Sequence, residues 1–421
     1  MPSNLSSDML NHLRRTSKLT ETSMDPLLRK QTGSYYTDLE LTENMMAELT
    51  AAIRQTENTK ELWEQSFLEP CVGTGNFVFS YINNVARQDI TIEQARELLE
   101  NIYVSDINQN ALSQYKKSLK IIADYKWGIN LSENYFKNHI GKGLLFDISL
   151  KKQQYIQLSE VFPRTVIKNG FDIVATNPPY KNLKAEKKHY NKTEEYEKDQ
   201  ELYSEITAIA RKRFHYTSSG ILNLYKLFVE EIIDEYSNKD AFISLLIPAS
   251  ILTDKTCSKL RSHILLDNKL ISVKCIKENN NFVDAKQALC TMLIKKGEKT
   301  SRISVTKDFA TEPERSIRVN LNDVINEKSQ NPIIALNETE YKTLKRLKEC
   351  PTVKDLPFIT NSRGELDLTI NKKQITQKTT EYKLARGRDI RFYEFYESTS
   401  SDYVDSSFVQ KSAKKKYIEE E

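Results

Sequence analysis

One stretch limits what this chain can fold into more than any other: Phe171-Asp-Ile-Val-Ala-Thr-Asn-Pro-Pro-Tyr180. Ile173 to Thr176 reads as a buried strand that stops abruptly in a rigid, polar, aromatic tetrapeptide. Pro178 and Pro179 have no backbone N–H and a fixed φ, so the turn is stiff and its carbonyls point in set directions. Asn177 offers an amide oxygen that accepts and an NH2 that donates. Tyr180 brings a flat ring to the same rim. Such strand tips are where open α/β sheets bind ligands. The chemistry suits a planar group bearing an NH2: the Asn177 side chain and the Pro178 carbonyl take its two hydrogens while Tyr180 stacks on its face.

Three further strand tips carry polar residues, with helical segments between them. Phe67-Leu-Glu-Pro-Cys-Val-Gly-Thr-Gly-Asn-Phe77 ends a strand, turns through Gly73 and Gly75, and opens a helix at Asn76. The glycines allow close backbone approach to a ligand. The third glycine of a dinucleotide fingerprint is missing. Glu69-Pro70 instead sets an acidic residue at the strand end, which suits a cationic ligand. Asn101-Ile-Tyr-Val-Ser-Asp-Ile-Asn108 places Asp106 where both hydroxyls of a ribose are held and Ile107 where it lies against a planar ring. Gly143-Leu-Leu-Phe-Asp147 is read as the third tip, with Asp147 as an acceptor. The recurrence predicts a parallel, doubly wound α/β sheet. Upstream, Gln31-Thr-Gly-Ser-Tyr-Tyr-Thr-Asp38 precedes a helix over 39–54 with apolar Leu41, Met45, Met46, Leu49 and Ile53; Thr37 or Asp38 is its N-cap. The rings and hydroxyls of Tyr36 and Thr37 are candidates to meet a cofactor.

Asn-Pro-Pro-Tyr is the signature of amino-methyltransferases. With the Tyr-Tyr-Thr stretch in front and the Glu-Pro glycine loop between, the chain resembles gamma-class N6-adenine-specific DNA methyltransferases of type II restriction–modification systems that act on asymmetric sites. Asp38 stands where that class usually has Pro. The resemblance implies a seven-stranded Rossmann-like methyltransferase sheet with a C-terminal extension. It also implies S-adenosyl-L-methionine as cofactor, whose sulfonium and ammonium fit Glu69. The implied cofactor set is Tyr36, Thr37, Glu69, Pro70, Gly73, Gly75, Asp106, Ile107, Asp147 and Asn177. Asn177, Pro178, Tyr180 and Phe282 would act on an adenine flipped out of the duplex. Phe282 stands among three Asn and an Asp, between the strand 271–276 and the strand 288–294. It is the candidate second ring of a base sandwich. Release-factor methyltransferases share Asn-Pro-Pro-Tyr but lack the Tyr-Tyr-Thr stretch and the basic extension. The remaining alternatives are another acceptor, cytosine N4 or protein glutamine, and a truncated, inactive or partner-dependent subunit.

The 421 residues suffice for two domains or one large one. A net charge of +4 does not by itself argue for nucleic acid, so local patches matter. Residues 181–220 mix Lys, Glu and Tyr; Lys187, Lys188, Arg211 and Arg213 are the candidates there for a DNA backbone. The five cysteines form no Cys-x-x-Cys pair and the five histidines have no ligand spacing, so no zinc site or disulfide framework is expected. No apolar run approaches ~18 residues, and the N-terminus does not read as a signal peptide. A cytoplasmic setting is the expectation. The chain divides into an arm over 1–30, a methyltransferase domain over 31–300, a linker over 301–355, and the start of a target recognition domain over 356–421. Arg386, Arg388 and Arg391 there are candidates for phosphates or bases. Because the resembling family continues further, a separate polypeptide is expected to supply the rest of that domain, or the chain is a truncated product. A cognate endonuclease would be encoded nearby.

Overall fold

The computed structural model describes residues 7–23, 37–57, 60–146, 154–163, 169–187, 190, 192–278, 280, 282, 283, 287–325, 330–359, 366, 368, 371–384, 386, 389–391, 394, 395 and 402–411. Tyr36, Asp147, Lys188 and Arg388 lie outside them. The chain forms two compact units, Met1–Glu349 and Cys350–Glu421.

A nine-stranded sheet runs through the first unit. Its strands are β1 (Phe67–Glu69), β2 (Ile102–Ser105), β3 (Ile140–Gly141), β4 (Phe171–Thr176), β5 (Ser237–Pro248), β6 (Lys269–Ile276), β7 (Leu289–Lys295), β8 (Arg302–Thr306) and β9 (Ser316–Asn320). They lie in the order β9-β8-β6-β7-β5-β4-β1-β2-β3. From β3 to β5 all neighbours are parallel. β7 enters antiparallel between β5 and β6, the closing pair expected from the sequence. Strand order reverses between β1 and β4, so their carboxyl ends flank a topological switch point, where a crevice opens.

The buried strands are short, apolar and β-branched, as strands covered on both faces must be. Phe67, Leu68, Ile173, Val174 and Ala175 are fully buried. Helix α1 spans Ser7–Ser23. Helix α2 is Leu39–Arg54; Asp38 caps it by accepting from the Glu40 amide at 2.7 Å. Its buried stripe is Leu41, Met45, Met46, Leu49 and Ile53, each such side chain stabilising by roughly 2 kcal/mol. Helix α3, Asn76–Ala86, follows the glycine loop and is buried on every side. Its polar stripe, Asn76, Ser80, Asn83 and Asn84, is buried with partners: Ser80 bonds Thr42 at 2.8 Å, and Asn83 donates to Glu43 at 3.0 Å. Helices α4 (Gln109–Trp127), α5 (Thr193–Arg213) and α6 (Leu224–Glu231) complete the frame used below.

Three expectations need correcting. The third tip of the sheet is Gly141, not the Gly143–Asp147 stretch: Ile140 and Gly141 pair with Val104 and Ser105. Leu145–Phe146 instead pairs antiparallel with Tyr155–Ile156. Residues 302–320, expected within a linker, form β8 and β9 and widen the seven-stranded sheet to nine, with Val305 and Val319 buried. The segment 1–30, set apart from the methyltransferase domain as an arm, contributes to its packing: Met9, Leu13 and Ser17 of α1 are buried.

The second unit carries a three-stranded ladder, with Tyr403–Val404 between Ile375–Thr376 and Tyr382–Lys383. Ile390–Arg391 pairs with Glu394–Phe395. No helix among the described residues is long and apolar enough to cross a membrane.

Candidate active site

The glycine loop is built from β1 outward. Gly73 and Gly75 have φ of 53° and 99°, which L side chains rarely adopt. The loop is tied to β2 and its tip: the Val72 amide donates to Ser105 O at 2.9 Å, and the Gly73 amide donates to Asp106 Oδ2 at 2.7 Å. Asp106 also takes the Asn108 amide at 2.8 Å, so its carboxylate stands at the loop with a fixed orientation. Ile107 is half-buried beside it.

Glu69 ends β1 and is 2% exposed. Its Oε2 accepts from the Val78 amide in the first turn of α3, at 3.3 Å. A carboxylate there complements the orphan N–H groups and the positive end of the helix dipole. Burial nevertheless pushes its pKa well above the usual carboxylate range, and the charge of Asp106 adds to the shift. Glu69, Gly73, Asn76, Phe77, Thr37 and Asn177 line one crevice.

The segment Thr37–Asp38 joins three loops across this crevice. Thr37 O accepts from Asn76 Nδ2 at 2.6 Å, and Thr37 Oγ1 accepts from Asn177 Nδ2 at 3.0 Å. The Asp38 amide donates to Phe282 O at 2.8 Å. Thr37, Glu69, Gly73, Gly75, Asp106, Asn177 and Phe282, all singled out in the sequence, are thus brought to one place; Pro70 follows Glu69 in the turn after β1.

The elbow is stiffened from behind. The Tyr180 hydroxyl donates to Leu246 O in β5 at 3.1 Å, and its ring meets Tyr225 edge-on at 6.4 Å. The chain beyond it is clamped to the start of α6: Leu224 N donates to Lys181 O at 2.8 Å, and Leu183 N to Leu222 O at 2.8 Å. Phe282 is half-buried, 5.8 Å from Phe309. Both candidate base-facing rings pack on the same hydrophobic cluster.

Sequence reasoning missed Ser17. Its Oγ accepts from Thr74 Oγ1 at 3.1 Å and from Asn76 Nδ2 at 3.3 Å, so α1 holds the glycine loop from outside. The only local trace is a weak four-residue spacing, Met9–Leu13–Ser17, whose third member is polar.

The basic candidates scatter. Lys187 and Arg211 are exposed. Arg213 is not available to a phosphate: it pairs with buried Glu231 at 3.0 Å and lies 3.9 Å from the centre of the Tyr155 ring. In the second unit, Arg386 is paired with Asp402. Arg391 contributes backbone to the Ile390–Arg391 strand.

Residues 100–282 match the Eco57I restriction-modification methylase family. No curated protein matches the chain. Among solved structures, the cryo-EM DrdV–DNA complex superposes with a TM-score of 0.53 at 15% identity, over 78% of this chain and 34% of that one. The ATP-dependent Type ISP restriction-modification enzyme LlaBIII bound to DNA superposes with a TM-score of 0.50 at 15% identity, over 71% of this chain and 22% of that one. The chain therefore spans about a third or less of the length of these proteins, with which it shares a fold. Residues 100–282, which contain Asp106, the Asn177–Tyr180 elbow and Phe282, are thus the part of the chain that is similar to the Eco57I restriction-modification methylases.

Proposed function

We propose that this chain is an S-adenosylmethionine-dependent DNA methyltransferase of a restriction–modification system, acting on the N6 amine of an adenine rotated out of the duplex. The observation that carries the reading is the bond from Asn177 to Thr37: it fixes the amine-capturing elbow against the loop of Gly73 and Gly75. When bound, the cofactor supplies an activated methyl carbon. The residues present suit it. Glu69 gives a buried carboxylate for a cationic ligand, Asp106 an acceptor for ribose hydroxyls, and the glycines a close backbone approach.

With its NH2 end held by Thr37, the Asn177 amide directs its oxygen toward the substrate amine. Asn177 Oδ1 and the Pro178 carbonyl accept the two amine hydrogens and draw the nitrogen lone pair out of conjugation. Tyr180, its hydroxyl anchored on Leu246, and Phe282 hold the two faces of the base. Extrusion of the base costs a few kcal/mol, and positioning and charge handling carry the rate. Burial and the Asp106 charge push the Cys71 thiol well above its usual range, so it is no thiolate nucleophile. The partners are double-stranded DNA and a cognate endonuclease; the setting is cytoplasmic.

Incubation with methyl-labelled cofactor and either DNA or cell protein tests the reading. Label is expected in DNA as N6-methyladenine, read by nucleoside mass spectrometry. Label in N4-methylcytosine or in protein glutamine would replace adenine as the acceptor.

A pH dependence follows from Glu69. Its folded pKa is raised, so it holds a proton at a pH where an ordinary glutamate is ionised. The neutral form attracts a sulfonium less. Cofactor affinity is therefore expected to fall on acidification, from a pH well above the ordinary glutamate range, with proton release on binding. Calorimetry in buffers of different ionisation enthalpy reads both effects, and Glu69→Gln should flatten the profile.

A further inference from the structure

Beside the elbow lies a second cavity, of about 350 Å3, that the methyl-transfer chemistry does not use. Leu183 and Ala185, just beyond Tyr180, form part of its lining, and their segment is bonded to Leu222 and Leu224, so this wall is a rigid extension of the elbow. The opposite wall is one stripe of α5: Tyr196, Gln200, Ser204, Thr207 and Arg211. Lys184 stands on the elbow side.

The composition of that stripe is selective. Helix α5 carries Glu194, Glu195, Glu197, Glu201 and Glu205, and none of them lines the cavity. Asp199 is buried and takes the Tyr190 hydroxyl at 2.8 Å. The face that remains offers the rings of Tyr196 and Tyr203, an amide, the hydroxyls of Ser204 and Thr207 and a guanidinium, with an ammonium opposite. Arg211 spends one donor on Gly220 O at 3.3 Å and keeps others in its fork. A cation at each side, an aromatic plane and neutral hydrogen-bonding groups between them match an anionic group attached to a planar one.

We infer that this cavity is a DNA-strand subsite, holding a short run of nucleotides of the strand that flanks the extruded base, since Tyr196 and Arg211 stand about 22 Å apart along α5. One phosphate of the run lies at Lys184 and another at Arg211, and a base or sugar lies on Tyr196. The inference rests on the DNA-methyltransferase reading above. It adds a second grip next to the elbow, which keeps the flanking backbone from following the target base as it leaves the stack.

The test uses the full chain, a fluorescein-labelled mixed-sequence duplex and anisotropy titrations over a range of salt. The exposed pair is removed as Lys184→Ala with Arg211→Ala, and the ring as Tyr196→Ala with Tyr196→Phe as its conservative partner. The double variant is expected to lower the salt slope by about two, near one for each of the two phosphate contacts withdrawn. Tyr196→Ala is expected to weaken binding about tenfold, with Tyr196→Phe near wild type, as base stacking requires. Cofactor affinity, measured on the same samples by calorimetry, should stay unchanged and reports that each variant is folded. Wild-type affinity and slope in both variants overturn the subsite and leave the methyltransferase reading standing. A wild-type chain that binds cofactor but no duplex at low salt overturns it too. Failure of the wild type to bind S-adenosylmethionine removes the reading beneath it.

Discussion

Asn177→Ala is expected to lower the rate of methyl transfer by about a thousandfold or more while leaving cofactor affinity within a few-fold of wild type. The side chain has two ends with separate work. Its NH2 end donates to Thr37 Oγ1 at 3.0 Å and holds the elbow against the cofactor loop. In the proposed reaction its oxygen end accepts from the substrate amine, and that acceptor strengthens as the nitrogen gains positive character. An interaction that grows toward the transition state appears in the rate rather than in ground-state binding. Asn177→Asp separates the ends: it keeps acceptors but loses the donor to Thr37 and adds a charge in a buried crevice. It should fall between wild type and alanine. Single-turnover transfer beside equilibrium cofactor binding makes the measurement, and an Asn177→Ala enzyme near wild-type rate would remove the elbow from the chemistry.

The second large effect is expected at Gly75. Its φ is +99°, and a Cβ built there would lie 2.5 Å from Tyr115 Cδ2 and 2.8 and 2.9 Å from two atoms of Phe79. Those rings stack on each other at 5.8 Å and are 2% and 1% exposed, so neither can swing into solvent. Gly75→Ala combines backbone strain with core overpacking. Together these cost roughly 2–5 kcal/mol. The loop is displaced at the same time, and cofactor affinity should fall about tenfold or more, since a shift there misplaces the backbone the ligand approaches. Gly128→Ala is the internal control. It too has positive φ, +65°, but no atom lies within 4 Å of its Cβ. Only the strain remains, about 1 kcal/mol, with no effect on the cofactor. Urea unfolding and calorimetry on both variants decide it; equal losses of stability would mean that the two rings do not resist the added carbon.

What the sequence disclosed was local. Helix α2 was readable in full because its cap and its apolar period lie in consecutive residues. The glycine loop and the elbow were readable because proline, glycine and a strand-terminal acid each restrict the backbone by themselves. The losses were tertiary. β3 has two residues, too few to alternate, and its pairing with β2 depends on a partner far back in the chain. Arg213 reads as one of three cations in a row, and only the folded chain shows Glu231 taking it up. Ser17 looks like any serine on a polar helix until Thr74 and Asn76 arrive from the glycine loop. β9 is the edge strand and β8 its neighbour, both of mixed polarity, so their alternation is blurred by exposed Arg302, Ser316 and Arg318.

The joint at Thr37 and Asp38 has a thermodynamic consequence. One short peptide segment bonds the cofactor loop through Asn76, the elbow through Asn177 and the facing aromatic loop through Phe282. A ligand that settles one of these loops alters the freedom of the other two. Under the proposed function, cofactor and extruded base therefore share a linkage free energy, and whatever affinity the first lends to the second, the second must return to the first in equal measure.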